Sequence, residues 1–278
     1  MKKGVTGIMK DLKNKNVLIT GAGSGIGRLM ARGFAAEKAN CALVDVNGKG
    51  LEETAALAEK QGTRIKTYIC DISDKKKVSS VAQEIRKDFG GVDVLINNAG
   101  TITGKSFLDL SIEEMERTMA INYWGHLYFT KEFIHDMVKQ GKGNIVNVAS
   151  SSGLLGMPIL SDYAASKFAE VGLSEALRRE MKKFGHRGVK ITCVCPYIID
   201  TGMFKGFKPF LFSPFIKPAT AAKKIIGAVK KDKPYVMMPP HSIYTMMAMR
   251  LLPTDIFDAL LNVFGSGRAM DNFTGRSN

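Results

Sequence analysis

Long apolar runs are missing from this chain of 278 residues, and none approaches the ~20 residues that a bilayer-spanning helix requires. The opening stretch MKKGVTGIMKDLKNKN is basic and lacks the apolar centre of a signal peptide, so neither a leader nor a permanent anchor is expected there. Cysteine is scarce. Cys41, Cys70, Cys193 and Cys195 sit in apolar strand-like runs without metal-ligand spacing, which argues for buried free thiols and against disulfides or a metal site. The four histidines are too scattered to suggest a site. Acidic residues are outnumbered, 26 against 40 Lys and Arg, which leaves a formal net charge of +14. The excess lies partly in the first sixteen residues and partly between Lys205 and Lys233. A solvated basic surface is the plain explanation and an anionic membrane face is the functional one; no nucleic-acid motif accompanies the charge. The expected location is cytoplasmic, with peripheral membrane contact as its extension.

What remains is globular in composition, 45% hydrophobic and 24% charged. Neither repeats nor low-complexity linkers break the chain. The runs NVLIT, CALVD, IKTYIC, VDVLINN, GNIVNVAS and VKITCVC read as strands, and longer amphipathic stretches between them read as helices. Strand–helix–strand units with right-handed crossovers imply an α/β fold: a doubly wound parallel sheet with helices on both faces. Apolar strands without alternation fit burial on both faces. One domain is expected over residues 16–240. A basic segment, 1–15, precedes it and a helical extension, 241–278, follows it.

The first strand runs into TGAGSGIG, with Gly21, Gly25 and Gly27 at the turn and a helix beginning directly after. Glycines there let backbone amides approach a pyrophosphate, and the helix N-terminus adds partial positive charge. A purely structural turn is the alternative. About twenty residues onward the second strand ends in Asp45, where a carboxylate can accept from ribose hydroxyls and repel a 2′-phosphate, favouring NAD over NADP. Neither Ser24 nor Val46 supplies a compensating cation, and the alternative for Asp45 is a helix cap. Asp71, in CDISD, could meet the adenine edge or simply shape a strand-end turn. Further on, SDYAASKFAEVG sets Tyr163 and Lys167 one helical turn apart. An ammonium close to a phenol lowers the phenol's pKa from its usual ~10, so Tyr163 is expected to exchange a proton with a substrate at working pH. The plainer reading is a surface tyrosine with a snorkelling lysine.

TGAGSGIG, NNAG at 97–100, Asn122 in INYWG, Ser150 in NVASSSG and the YAASK of Tyr163 and Lys167 occur together, and the chain thereby resembles the short-chain dehydrogenase/reductase family along nearly its whole length. The resemblance implies a single-domain Rossmann fold and hydride transfer between an alcohol or carbonyl and a nicotinamide dinucleotide. It implies that Tyr163 is the general acid/base and that Lys167 is its electrostatic partner and a ligand of the nicotinamide ribose. Ser150, thirteen positions before the tyrosine, would bind the reacting oxygen, with Ser151 and Ser152 as rivals that this spacing disfavours. Asn122 would interrupt the middle helix and hold a water. The implied dinucleotide contacts are Gly21, Ser24, Gly25, Ile26, Gly27, Asp45, Asp71, Ile72, Asn98, Ala99 and Gly100, together with Tyr163, Lys167, Pro196 and Thr201. In CPYIIDTGM, Tyr197 stands where the family usually has glycine. No metal is implied.

Beyond Thr201, the stretch FKGFKPFLFSPFIKP interleaves aromatics with lysines, and VMMPPHSIYTMMAMRLLP follows it. These resemble the retinol and 17-beta-hydroxysteroid dehydrogenases that act at membranes or lipid droplets. The expectation is an NAD-dependent oxidoreductase for a bulky apolar alcohol or carbonyl, such as a retinoid, a steroid or a long-chain alcohol, under a lid at about 200–217. A small-carbonyl or 3-ketoacyl reductase is the alternative within the family. A chemically inactive cofactor-binding or membrane-surface scaffold is the alternative outside it. Long helices carrying Asn122 and Tyr163 resemble those that pair in family dimers, so a homodimer or homotetramer is expected.

Overall fold

Alternate residues along the strands serve two separate apolar layers, as a period of two demands. In the computed structural model, which describes residue 9, residues 11–209 and residues 214–275, β1 (Asn16–Thr20) sends Val17 and Ile19 to one layer and Leu18 to the other. β4 (Val94–Asn97) repeats the division with Val94 and Ile96 against Leu95, and β5 (Gly143–Val148) with Val146 and Val148 against Ile145. These three central strands are therefore apolar on both faces. Burying each large side chain contributes roughly 1.5–3 kcal/mol.

Seven parallel strands form one sheet in the order β3-β2-β1-β4-β5-β6-β7, completed by β2 (Asn40–Asp45), β3 (Ile65–Ile69), β6 (Val189–Pro196) and β7 (Tyr235–Met238). One face is covered by α1 (Gly25–Ala36) and α7 (Pro218–Lys230) through Met30, Phe34 and Ile225, with α2 (Gly48–Glu59) adding Leu51. The other is covered by α3 (Lys75–Phe89) and α5 (His126–Gln140) through Val81, Ile85, Phe129 and Phe133. Between β4 and α5 lies α4 (Ile112–Met119), and α6 (Ser161–Lys183) follows β5. The chain passes from β1 outward to β3 and then back across to β4, so the sheet reverses direction between β1 and β4. A doubly wound sheet binds its ligand at such a crevice, at the carboxyl ends of the strands.

Local chemistry fixes the helix ends. Asn47 caps α2 by accepting from the Gly50 amide, and Asp74 caps α3 by accepting from the Lys76 and Lys77 amides. Ser111 and Glu114 form a reciprocal capping box on α4. β7 is the element that the sequence pattern did not announce. Its four residues, YVMM, stand between prolines and carry two unbranched methionines. Val236 and Met238 nonetheless enter one core layer, while Tyr235 and Met237 pack against Cys193 and Cys195.

The C-terminal part builds α8 (Pro240–Met249) and α9 (Thr254–Val263), and the chain then turns back. The Lys208 amide donates to the Ala269 carbonyl at 2.8 Å, and the Thr274 amide donates to Lys205 at 2.9 Å. The loop after β6 is thus strapped to the C-terminal segment of the same chain. Of the lid expected at 200–217, residues 210–213 lie outside the described residues, as do residues 1–8 and 10 of the basic N-terminal segment.

Candidate active site

α6 carries its chemistry on its buried side. Tyr163, Ser166, Lys167, Glu170 and Ser174 recur at steps of three and four and are all buried. A helix whose inner stripe is polar has to satisfy each group locally, because an unpaired buried polar atom is costly. The Ser166 hydroxyl donates to the Tyr163 carbonyl at 2.7 Å, and Lys167 Nζ donates to the Val148 carbonyl at 2.8 Å. Ser150 follows β5 and neighbours the Tyr163 hydroxyl, where it favours the ionised form. The Ser150 hydroxyl also accepts from the Ser152 amide at 3.1 Å. The serine facing the phenol is therefore Ser150, in line with its spacing.

Lys167 and Tyr163 share a face, with Nζ 5.9 Å from the tyrosine ring centroid. The expected lowering of the phenol pKa does not occur in the free protein. Burial pushes Tyr163 up to about 12, and the neighbouring Ser150 opposes this only in part. Burial also drives the Lys167 ammonium down, against the support of Glu170, Cys193 and Cys195. Desolvation outweighs the pairing because both groups are shut away from water together.

Asn122 interrupts the regular α-helix, as the resemblance implied. It sits in a π-helical turn, Ala120–Gly125, that joins α4 to α5 continuously. Such a widened turn opens backbone positions inside a helix. Asn122 Oδ1 accepts from the Thr101 amide at 2.8 Å, and Nδ2 donates to the Thr101 carbonyl at 2.9 Å and to Ser166 Oγ at 3.0 Å. The side chain links the loop after β4 to α6.

The residues expected to hold a dinucleotide line the carboxyl ends of β1, β2 and β4. Gly21 and Gly25 have φ of +66° and +54°, in the left-handed region that favours glycine. A Cβ on Gly27 would fall 2.0 Å from the Gly21 carbonyl oxygen. The Asn98 side chain donates to the Thr20 carbonyl at 2.9 Å, and the Asn98 and Ala99 amides donate to Thr20 Oγ1. Thr201 lies over the turn, with Cγ2 at 3.6 Å from where a Gly25 Cβ would be. Pro196 ends β6 next to it, and Ser24 and Ile26 flank Gly25 at the start of α1. Gly100 faces Asn122 and Lys167, its Cβ position 4.0 Å from Nζ.

Asp45 ends β2 with Oδ2 accepting from the Gly23 amide at 2.8 Å and Oδ1 accepting from the Asn47 amide at 2.9 Å. The next helix is capped by Asn47, so the capping alternative for Asp45 falls away. Asp71 accepts from the Ser73 amide and hydroxyl and lies 4.0 Å from Arg117; burial works against these partners, yet its carboxyl is held below the ordinary range. Ile72 beside it is buried against Gly125 of the π turn. Arg28 stands at the start of α1 and adds a cation. Its guanidinium donates to the Gly23 carbonyl at 2.6 Å, to Glu53 at 2.7 Å and to Thr54 at 3.0 Å, so a cation does stand beside the glycine turn, held by an acidic partner. Its position four residues after Ser24 on α1 was the available signal.

Over Tyr163 lies an aromatic cover. Phe204 meets its ring edge-on at 5.9 Å, Phe207 and Phe273 pack on Phe204, and Tyr197 packs on Phe207. Tyr197, in the place of a glycine, is buried in this cluster with Leu160 and Met270. Tyr163 itself is 5% exposed. The strap reaches the cover through two glycines with no room for a side chain: a Cβ at Gly104 would meet the Phe273 ring at 2.1 Å, and one at Gly206 would meet the Asn272 carbonyl at 1.7 Å.

A hydroxyl, an ammonium and a serine converging beside a glycine turn fit alcohol chemistry with a nicotinamide cofactor, which when bound accepts or donates the hydride. The family described as short chain dehydrogenase matches residues 15–210, and the chain belongs to it. It is an oxidoreductase that uses a nicotinamide dinucleotide and a small-molecule substrate. Among curated relatives, it is 41% identical over 268 residues to epidermal retinol dehydrogenase 2 of Homo sapiens, covering 95% of this chain and 86% of that one. It is 36% identical over 290 residues to retinol dehydrogenase 10-B of Danio rerio, with 95% and 86% covered. A solved short-chain dehydrogenase/reductase from Burkholderia phymatum, in complex with NAD, superposes with a TM-score of 0.80 at 26% identity, over 87% of this chain and 94% of that chain.

Gly27→Ala is expected to weaken NADH binding at least tenfold, about 1.4 kcal/mol, because its Cβ meets backbone that no side-chain rotamer relieves. Fluorescence titration measures it; unaltered affinity would show that the turn does not hold the dinucleotide.

Proposed function

We propose that the protein is an NAD-dependent dehydrogenase of bulky apolar alcohols, retinoids first among them. The observation that carries this reading is the placement of Tyr163, with Ser150 and Lys167 as its neighbours, beneath a cover made of Phe204, Phe207, Tyr197 and Phe273. Such a cover offers a substrate contact area and little hydrogen bonding, which suits an apolar chain or ring. The retinol dehydrogenases among the relatives support the same substrate class.

In this reading Tyr163 takes the alcohol proton, Ser150 holds the reacting oxygen, and Lys167 stabilises the developing phenolate. Asn122 keeps the loop after β4 in register with α6 and with the proton path. Asp45 prefers the unphosphorylated ribose, since its carboxylate repels a 2′-phosphate. Arg28 does not overturn that preference, because Glu53 already occupies it.

Among the described residues no helix is long and apolar enough to cross a membrane. The turn between α8 and α9 exposes Leu251 at 88%, with Leu252 and Ile256 beside it and Arg250 before it. We assign this tip, with the basic surface, to peripheral contact with anionic lipid. We propose that copies of the chain pair around Trp124 and Phe168, which are exposed.

The purified protein, supplied with NAD or NADP, is expected to oxidise retinol and long-chain secondary alcohols at least tenfold faster with NAD than with NADP. Tyr163→Phe should lose more than ~99% of turnover, as removal of a general acid/base does, while still binding NADH. A preference for short ketones would assign the reductase alternative. NADH binding without turnover across the panel would assign the scaffold.

Cosedimentation with phosphatidylserine vesicles should fall on adding salt, and should fall again in Leu251→Asp. A wild-type chain that ignores such vesicles at low salt removes the lipid contact, and a monomer in analytical ultracentrifugation removes the pairing.

A further inference from the structure

Two ionisable side chains next to the site are fully buried. His126 begins α5 just after the π turn, and Glu170 lies one turn beyond Lys167 on α6; neither exposes any surface. His126 Nε2 is 2.7 Å from the Ala99 carbonyl oxygen, and Nδ1 is 3.0 Å from Glu170 Oε1. A carbonyl oxygen only accepts, so Nε2 must carry hydrogen. The approach falls outside hydrogen-bond geometry, so Nδ1 and both Glu170 oxygens are left without a partner among the described residues, and in a neutral ring an unprotonated Nδ1 would sit 3.0 Å from a carboxylate oxygen. An imidazole between two acceptors needs a proton on the carboxylate side as well. That proton makes the pair either imidazolium–carboxylate or imidazole–carboxylic acid.

The surroundings favour the ionic form. Lys167 Nζ is buried and meets a neutral carbonyl at Val148. The titratable groups acting on it are Glu170, on its own helix, and Cys193 and Cys195 on β6. Tyr163 lies one turn before it on the same helix. Glu170 is thus the carboxylate that supports the ammonium, and a buried charge persists only when it is paired. On its other side the pair reaches the dinucleotide turn. Ala99 is bonded through its amide to Thr20 Oγ1, through its carbonyl to His126, and its Cα lies 2.8 Å from where a Gly21 Cβ would be.

The geometry points to His126 and Glu170 as a proton-holding positioning pair that fixes the Ala99 carbonyl beside the cofactor turn and keeps the buried Lys167 cationic. Neither residue touches the reacting atoms. The inference rests on the reading of Lys167 as the electrostatic partner of Tyr163, and it adds the device that maintains that charge.

Ring nitrogen-15 shifts of His126 in the labelled full-length chain, assigned by their loss in His126→Gln, test the ionic form without any turnover. Both nitrogens should read as protonated, and Glu170→Gln should convert the ring to its neutral form. In kinetics, Glu170→Gln weakens the charge on Lys167 and so disfavours the phenolate. The acid limb of the pH profile of kcat/KM for alcohol oxidation should move upward by about one unit, with the rate recovered at high pH. A neutral His126 ring in the wild-type chain would overturn the proposal, and so would a Glu170→Gln limb unmoved at a lowered rate, which is the mark of a packing role alone. If Tyr163→Phe keeps full turnover, the catalytic reading fails instead, while the nitrogen shifts still decide the protonation of the pair.

Discussion

Desolvation of one face of α6 is the constraint on which the site depends. Tyr163, Lys167 and Glu170 are buried together, and water is replaced by a small number of fixed partners: Ser150, the Val148 carbonyl and His126. Burial raises the phenol and lowers the ammonium, so each is driven toward neutrality and only neighbouring groups restrain the drift. A site prepared in this way is strongly responsive, because in a low-dielectric setting a single added or removed charge moves a proton equilibrium that water would have screened.

The fold supplies the rigidity that this needs. β1, β4 and β5 are apolar on both faces, and their carboxyl ends present Thr20, Asn98 and Val148 at the crevice where the sheet reverses its order. Thr20 and Asn98 close the glycine turn from below, while Asn122, seated in a π turn, couples the loop after β4 to the chemical helix. The aromatic cover comes from two distant parts of the chain, the loop after β6 and the segment around Phe273, joined by backbone hydrogen bonds and packed so closely that Gly206 has no space for a Cβ. Cover and catalyst therefore belong to the same chain.

Much of this was legible in residue order because its signals are local. Strand runs, the glycine turn leading into α1, Asp45 at the end of β2, and the spacing of Tyr163 and Lys167 are all patterns within one or two elements. What escaped reading depended on distance or on inverted polarity. β7 is four residues with two methionines, too short and too unbranched to show a strand pattern. His126 and Glu170 sit on different helices, and nothing in residue order pairs them. Arg28 was in view on α1, but its engagement with Glu53 requires α2 to be packed beside it. The direction of the Tyr163 shift was misjudged because spacing reveals a charge pair and conceals how much water it has lost.

The most direct measurement of that loss is the stability of the wild-type chain relative to Tyr163→Phe, from urea midpoints between pH 8 and pH 11.5. A phenol raised from 10.0 to about 12 on folding contributes stability that is complete below pH 10 and disappears as pH rises toward 12, because the unfolded chain releases its proton first. The account predicts that the wild-type chain loses ground against the variant above pH 10. A difference that stays constant, or that grows in favour of the wild type, would show that Tyr163 ionises at least as easily in the folded protein as in water, and would contradict it.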